Sequence, residues 1–226
     1  MKAQRFIVID LIRGLAVLLM IIFHLVFDLH HFRFLKVNFL LHPSWTGFAR
    51  FIVFLFLLCA GMALALAHKE GIRWRAVKKR FLVLGSWSVV ITLVTYLLYP
   101  RNFIFFGALH CITLASLAGL LFLGRPKLAL GVSVIIILSD LIFKPRLVPL
   151  PEWLHVTPVD YVPFYPWVGV LILGIYLEST RFSRIPLESS AWTRPFQFMG
   201  RHSLKIYLLH QPILFGIFLM VYRLTR

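Results

Sequence analysis

The sequence predicts an all-α protein, a polytopic integral membrane helical bundle of about seven transmembrane helices with a cytoplasmic N terminus. Of its 226 residues, 60% are hydrophobic and 14% are charged, whereas water-soluble domains are about 45–50% apolar. Mean hydropathy is +0.88. Apolar runs long enough to cross a bilayer alternate with short basic stretches along the whole chain, which reads as a single transmembrane domain over residues 1–226.

Seven runs meet the length requirement of about 17–25 residues. They are Phe6–Leu29, Gly47–Ala67, Phe81–Tyr99, Phe103–Leu123, Lys127–Phe143, Val162–Glu178 and Ser203–Tyr222. Pro100-Arg101-Asn102 makes a tight turn between the third and fourth, and Gly124-Arg125-Pro126 one between the fourth and fifth. Sixteen of the 24 Lys and Arg then fall on one side and eight on the other, which puts the N terminus in the cytoplasm and, with seven crossings, the C terminus outside. The net charge of +16 is explained by these loops and not by a nucleic-acid surface. Cys59 and Cys111 lie in apolar runs and read as buried thiols. The first run is too long for a cleaved signal peptide and has no small-x-small cleavage site. On the outer side, His30–Thr46 and the proline-rich Lys144–Tyr161 are more than hairpins, and the second is expected to lie over the outer mouth.

Ionisable residues inside a span are rare and usually face a bundle interior or a wet cavity. The first span carries Asp10, Arg13, His24 and Asp28. Asp10 and Arg13 are three apart and can pair on one helix face. His24 lies 11 residues beyond Arg13, close to three full turns, hence on the same side and about 16 Å further along at 1.5 Å per residue. Asp28 follows at i+4, where it can take a hydrogen bond from one ring nitrogen of His24 and leave the other available. His42, in HPSWTG before the second span, sits beside Trp45; Ser44 or Thr46 can cap the coming helix. His110, in FGALHC, and His210 with Gln211, in LLHQPIL, are further polar residues within spans. Pro212 frees a backbone carbonyl that Gln211 is placed to satisfy.

These residues carry a resemblance. RFIVIDLIRGLAVLLMIIFH resembles the opening of the heparan-α-glucosaminide N-acetyltransferase catalytic-domain family, part of a wider group of transmembrane acyltransferases whose first helix bears Arg, ten residues and then His. Arg13 and His24 have that spacing. HPSWTGFARFIVFLFLLCAG is similar to the family's second-helix entry, with His42 on the position of its proposed catalytic histidine. FIFFGALHCI, DYVPFYPWVGVLILGI and LKIYLLHQPIL resemble later signatures of the bacterial members. The resemblance implies a multi-pass protein of the bacterial inner membrane. It would move an acyl group, acetyl above all, from cytoplasmic acyl-CoA to an amine or hydroxyl acceptor on the far side, a sugar, glycan or lipid head group.

Acyl transfer needs a donor site, a base and a place for developing negative charge. Arg13, with Asp10 beside it, is the expected contact for the coenzyme A phosphates, next to the basic stretch KEGIRWRAVKKR. Gly14, Ala16, Gly61 and Ala65 leave room for a pantetheine arm. Either His24 or His42 takes the acceptor's proton while the other donates to the oxyanion, with Asp28 and Trp45 in support and His110 lining the cofactor cavity. A ping-pong route through acyl-histidine is equally open. Membrane lipids are partners by default, nucleic acid is not, and a homodimer is compatible with the sequence. Two rivals remain. One is a transporter, or a lipid- or small-molecule-binding protein without chemistry, in which buried charge lines a passage. The other is a membrane metalloprotein using His24, Asp28 and His31 at i, i+4 and i+7, with His30 adjacent.

Overall fold

The computed structural model describes residues 6–35, 42–143 and 160–225. Among these the chain is all-helical, in the order α1 (Ile7–His31), α2 (Pro43–Ala67), α3 (Trp74–Leu98), α4 (Ala108–Gly119), α5 (Pro126–Phe143), α6 (Phe164–Ser179), α7 (Arg194–Arg201) and α8 (Ser203–Leu224). Five of them, α1, α2, α3, α5 and α8, are long and apolar enough to cross a membrane. The remaining two expected spans, α4 and α6, are shorter apolar helices of 12 and 16 residues.

The differences from the expected boundaries have local causes. Helix α2 begins four residues early because Pro43 takes the first helical position, where its fixed φ fits and its missing N–H costs nothing. Helix α3 begins at Trp74 and not at Phe81. Its first two turns contain Arg75, Lys78, Lys79 and Arg80, good helix formers that extend the helix past its apolar stretch. Phe103–Gly107 is not helical; Gly107 is extended, with φ −91° and ψ −172°, and α4 starts after it. The eight-residue α7, with Pro195 in its first turn, was not among the expected elements. The expected outer cover at Lys144–Tyr161 lies outside the described residues except for Asp160 and Tyr161, as does part of His30–Thr46.

The chain divides into two compact units, one of Met1–Phe56 with Ser183–Arg226 and one of Leu57–Phe182. Helix α2 contributes its first half to the former and its second half to the latter. In the first unit, α1 packs against α7 and α8. Val17, Met20 and Ile52 form its buried centre, with Phe48, Phe56, Met199, Ile206 and Tyr207 around them. Helices α1 and α7 approach backbone to backbone: Gly14 lies on the carbonyl of Phe196, and Gly200 on the carbonyl of Asp10. A Cβ at either glycine would overlap that carbonyl, so this crossing requires glycine on both helices. The pairing of 10 with 200 and 14 with 196 makes the two helices antiparallel.

Helix α8 instead runs parallel to α1. His24 meets His210, His31 meets Phe215, and Phe32 meets Phe215, Phe218 and Tyr222, in ascending order on both. In the second unit, α6 packs on α4 and α5, and Gly61 and Gly174 repeat the reciprocal glycine contact, against the backbone at Leu171 and Leu58. Leu82, Val89, Leu93 and Leu97 on α3 and Ile135, Leu141 and Ile142 on α5 are exposed, which suits insertion into hydrocarbon and not contact with water.

Candidate active site

Four polar residues of the first unit, His24 and Asp28 on α1 and His210 and Gln211 on α8, gather where these two helices meet. His24 is half-buried on α1, and its Nδ1 lies 3.0 Å from the carbonyl oxygen of Met20, one turn back. A carbonyl only accepts, so Nδ1 carries the hydrogen and Nε2 keeps the lone pair. The same Nδ1 lies 3.3 Å from Nε2 of His210 on α8. The Nδ1 of His210 is 2.7 Å from the carbonyl of Tyr207, so by the same logic that Nδ1 donates and its Nε2 is a bare acceptor.

Asp28 does not orient His24 as expected. Its side chain is 0% exposed, and Oδ1 accepts from Nε2 of Gln211 at 3.0 Å. Gln211 is therefore drawn to α1 and does not satisfy the carbonyl freed by Pro212. The reason is energetic: a buried carboxyl without a donor is far more costly than one under-satisfied carbonyl. Oδ2 of Asp28 and Oε1 of Gln211 have no hydrogen-bond partner among the described residues.

His42 occupies the cap position of α2. The backbone N–H of Ser44 points to its Nδ1 at 3.4 Å and the Ser44 hydroxyl lies 2.6 Å from the same atom. A backbone N–H only donates, so this Nδ1 is the acceptor and Nε2 carries the hydrogen, the opposite tautomer to His24. No hydrogen bond or ring contact joins His42 to His24 among the described residues. The two are linked through Trp45, whose ring stacks on Phe23 at 4.7 Å and 17°, while Phe23 meets His24 edge-on at 5.4 Å.

Asp10 and Arg13 form no ion pair with each other among the described residues; Asp10 lies against Gly200 of α7. Three of the four small residues expected to line an arm are used for packing instead. Gly14 and Gly61 are filled by neighbouring backbone, and Ala16 is 0% exposed.

His110 belongs to the second unit, and the fold uses both of its nitrogens. Nδ1 accepts from the Gly107 N–H at 3.2 Å, and Nε2 lies 3.1 Å from the Thr92 hydroxyl, which donates to the Ile104 carbonyl at 2.8 Å. In the same unit His68 is buried and its Nδ1 accepts from the Arg73 N–H at 3.1 Å. Burial first, and then the charges of Arg73 and Arg80, hold its imidazole below the ordinary histidine value.

His24, Asp28 and His31 do not converge. They go to His210, to Gln211 and to the rings of Phe27, Phe32 and Phe215, and among the described residues no group of three or more His, Cys, Asp or Glu could hold a metal ion. His210 and Gln211 stand out in the sequence as a His-Gln pair directly before a proline in an apolar helix, but their partners on α1 do not.

Helices alone among the described residues, five of them apolar and long enough to cross a bilayer, with a histidine and a carboxylate inside the first, mark a membrane protein. Residues 5–212 match the family model described as heparan-alpha-glucosaminide N-acetyltransferase, catalytic, and the chain belongs to that family of membrane acetyltransferases. No curated protein and no solved structure matches it.

Proposed function

We propose that the protein is a transmembrane acyltransferase that moves an acetyl group from cytoplasmic acetyl-CoA to an amine or hydroxyl acceptor, on a glycan or lipid head group, at the far face of the bacterial inner membrane. The chain would act as one domain of seven spans with its N terminus inside, in contact with membrane lipids and able to pair as a homodimer. The parallel course of α1 and α8 supports an odd number of crossings, because two parallel spans must be separated by an odd number of others.

The observation that carries the reading is the state of His24. Its Nδ1–H is committed to the Met20 carbonyl, which leaves the Nε2 lone pair for a proton, on the same helix and about 16 Å beyond Arg13 at 1.5 Å per residue. Arg13 makes no hydrogen bond or ion pair among the described residues and is available to coenzyme A phosphate. The reaction then runs as a direct transfer. The acceptor N–H or O–H gives its proton to Nε2 of His24 as its heteroatom bonds to the thioester carbonyl carbon. The C–S bond breaks, and the imidazolium returns the proton to the departing thiolate. His42, whose Nε2 carries the hydrogen because Nδ1 accepts from Ser44, would supply a donor for the oxyanion. Trp45, through Phe23, ties that end of α2 to α1. Asp10 holds the α1–α7 crossing beside Arg13, and Asp28 sets the α1–α8 contact.

Purified protein in proteoliposomes, given labelled acetyl-CoA and glucosamine as probe acceptor, tests this. The reading expects free thiol and acetylated glucosamine in equal amounts, and Arg13→Ala should raise KM for acetyl-CoA more than it lowers kcat. Labelled thioester left intact while a solute crosses the membrane would identify a transporter instead.

A further inference from the structure

Two neighbouring residues of α8 divide the polar groups of α1 between them. Gln211 takes the carboxyl of Asp28 at 3.0 Å, and His210 takes His24. Nothing in the α8 helix itself needs a histidine at 210. Its Nδ1–H donates back to the Tyr207 carbonyl at 2.7 Å, which fixes the ring and turns its Nε2 lone pair toward α1. That lone pair meets Nδ1 of His24 at 3.3 Å, with the ring centroids 4.7 Å apart and the planes at 76°. The two nitrogens are within hydrogen-bond reach, with the rings steeply inclined. The hydrogen on Nδ1 of His24 is thus shared between Met20 and His210.

We propose that His210 is a positioning residue for acyl transfer: a neutral acceptor on α8 that holds His24 with Nε2 facing the reacting atoms and stabilises the imidazolium formed when His24 takes the acceptor's proton. The proposal rests on the reading of His24 as base. A hydrogen-bond acceptor behind a catalytic imidazole is commonly a carboxylate. Here the carboxylate within reach on α1 is held by Gln211, and an imidazole stands behind His24 instead. A carboxylate at that place would keep a fixed negative charge inside the membrane, at high desolvation cost. Neutral imidazole offers a lone pair without it, and still strengthens its bond once His24 is charged. Met20 alone fixes the tautomer; the contribution of His210 is to fix the ring against α8 and to receive the charge.

Two substitutions separate this role from a merely structural one. His210→Gln carries an acceptor oxygen where Nε2 was, and His210→Asn keeps only the donor toward Tyr207. Acetyl transfer from labelled acetyl-CoA to glucosamine is expected to survive in the Gln variant and to fall about 10- to 100-fold in kcat in the Asn variant, the scale of losing a group that orients a reacting one. KM for acetyl-CoA should be unchanged in both. Protein labelled with 15N-histidine, in bilayers, gives a readout that needs no acceptor. The His24 Nδ1–H resonance should match wild type in His210→Gln and shift in His210→Asn. An unmoved His24 resonance in the Asn variant overturns the proposal, as does equal kcat in the two variants. His24→Ala in the same assay separates the layers: turnover by it removes the base itself, whereas a dead His24→Ala beside a fully active His210→Asn removes only His210.

Discussion

Gln211 on α8 donates from Nε2 to Oδ1 of Asp28 on α1 at 3.0 Å, joining residues 183 positions apart in the chain. A fully buried carboxyl is tolerable there because an amide N–H reaches it.

Gln211→Leu should therefore strand that carboxyl. The expected loss is about 1–3 kcal/mol of stability, the cost of a buried polar group left unsatisfied, read as a lower unfolding temperature in detergent. Asp28→Asn in the Gln211→Leu background should recover part of it, because a neutral amide is cheaper to bury than a carboxyl.

Gly200→Ala places a methyl on the Asp10 carbonyl at the α1–α7 crossing. Forcing the helices apart should cost about 1–3 kcal/mol, as overpacking does. Gly85→Ala, where a Cβ meets nothing, should leave the unfolding temperature unchanged or slightly raised, and comparing the two variants checks the claim.

Ser44→Ala removes the hydroxyl 2.6 Å from Nδ1 of His42 and leaves only the weaker backbone N–H at 3.4 Å. The His42 ring then loses its firmest restraint, and kcat for acetyl transfer should fall several-fold with KM for acetyl-CoA unchanged. Steady-state kinetics on the purified variant measures both.

His68 predicts an acid-sensitive fold. Its value in the folded protein lies below the ordinary 6.5 because burial and the Arg73 and Arg80 charges oppose the cation. The unfolded chain therefore binds the proton first as pH falls. Stability from neutral His68 is complete above about pH 6.5 and is lost progressively below it. Unfolding temperature should drop between pH 7.5 and 5.5, and His68→Asn, which keeps an acceptor for the Arg73 N–H, should flatten that slope.

What the sequence made legible follows from the range of the interactions. Helix α1 was readable almost to its ends because apolar length and the Arg13–His24 spacing are local properties. The start of α3 was hidden because a basic run that suits a loop also suits the first turns of a helix. Helix α7 was missed because eight amphipathic residues carry too little apolar length to stand out. The partners of His24 and Asp28 were not legible at all. Both lie on α8, 186 and 183 positions away, and an i+4 carboxylate on the same helix was the nearer candidate. Competition among buried groups for donors decided against it, and such competition appears only once helices pack.

The most direct measurement is acetyl transfer by His24→Ala in proteoliposomes, with labelled acetyl-CoA and glucosamine, beside wild type of matched unfolding temperature. A base worth about 10²- to 10⁴-fold predicts that kcat falls by that factor while KM for acetyl-CoA holds. Wild-type turnover in the folded variant would contradict the assignment of His24, and with it the chemistry built on its Nε2.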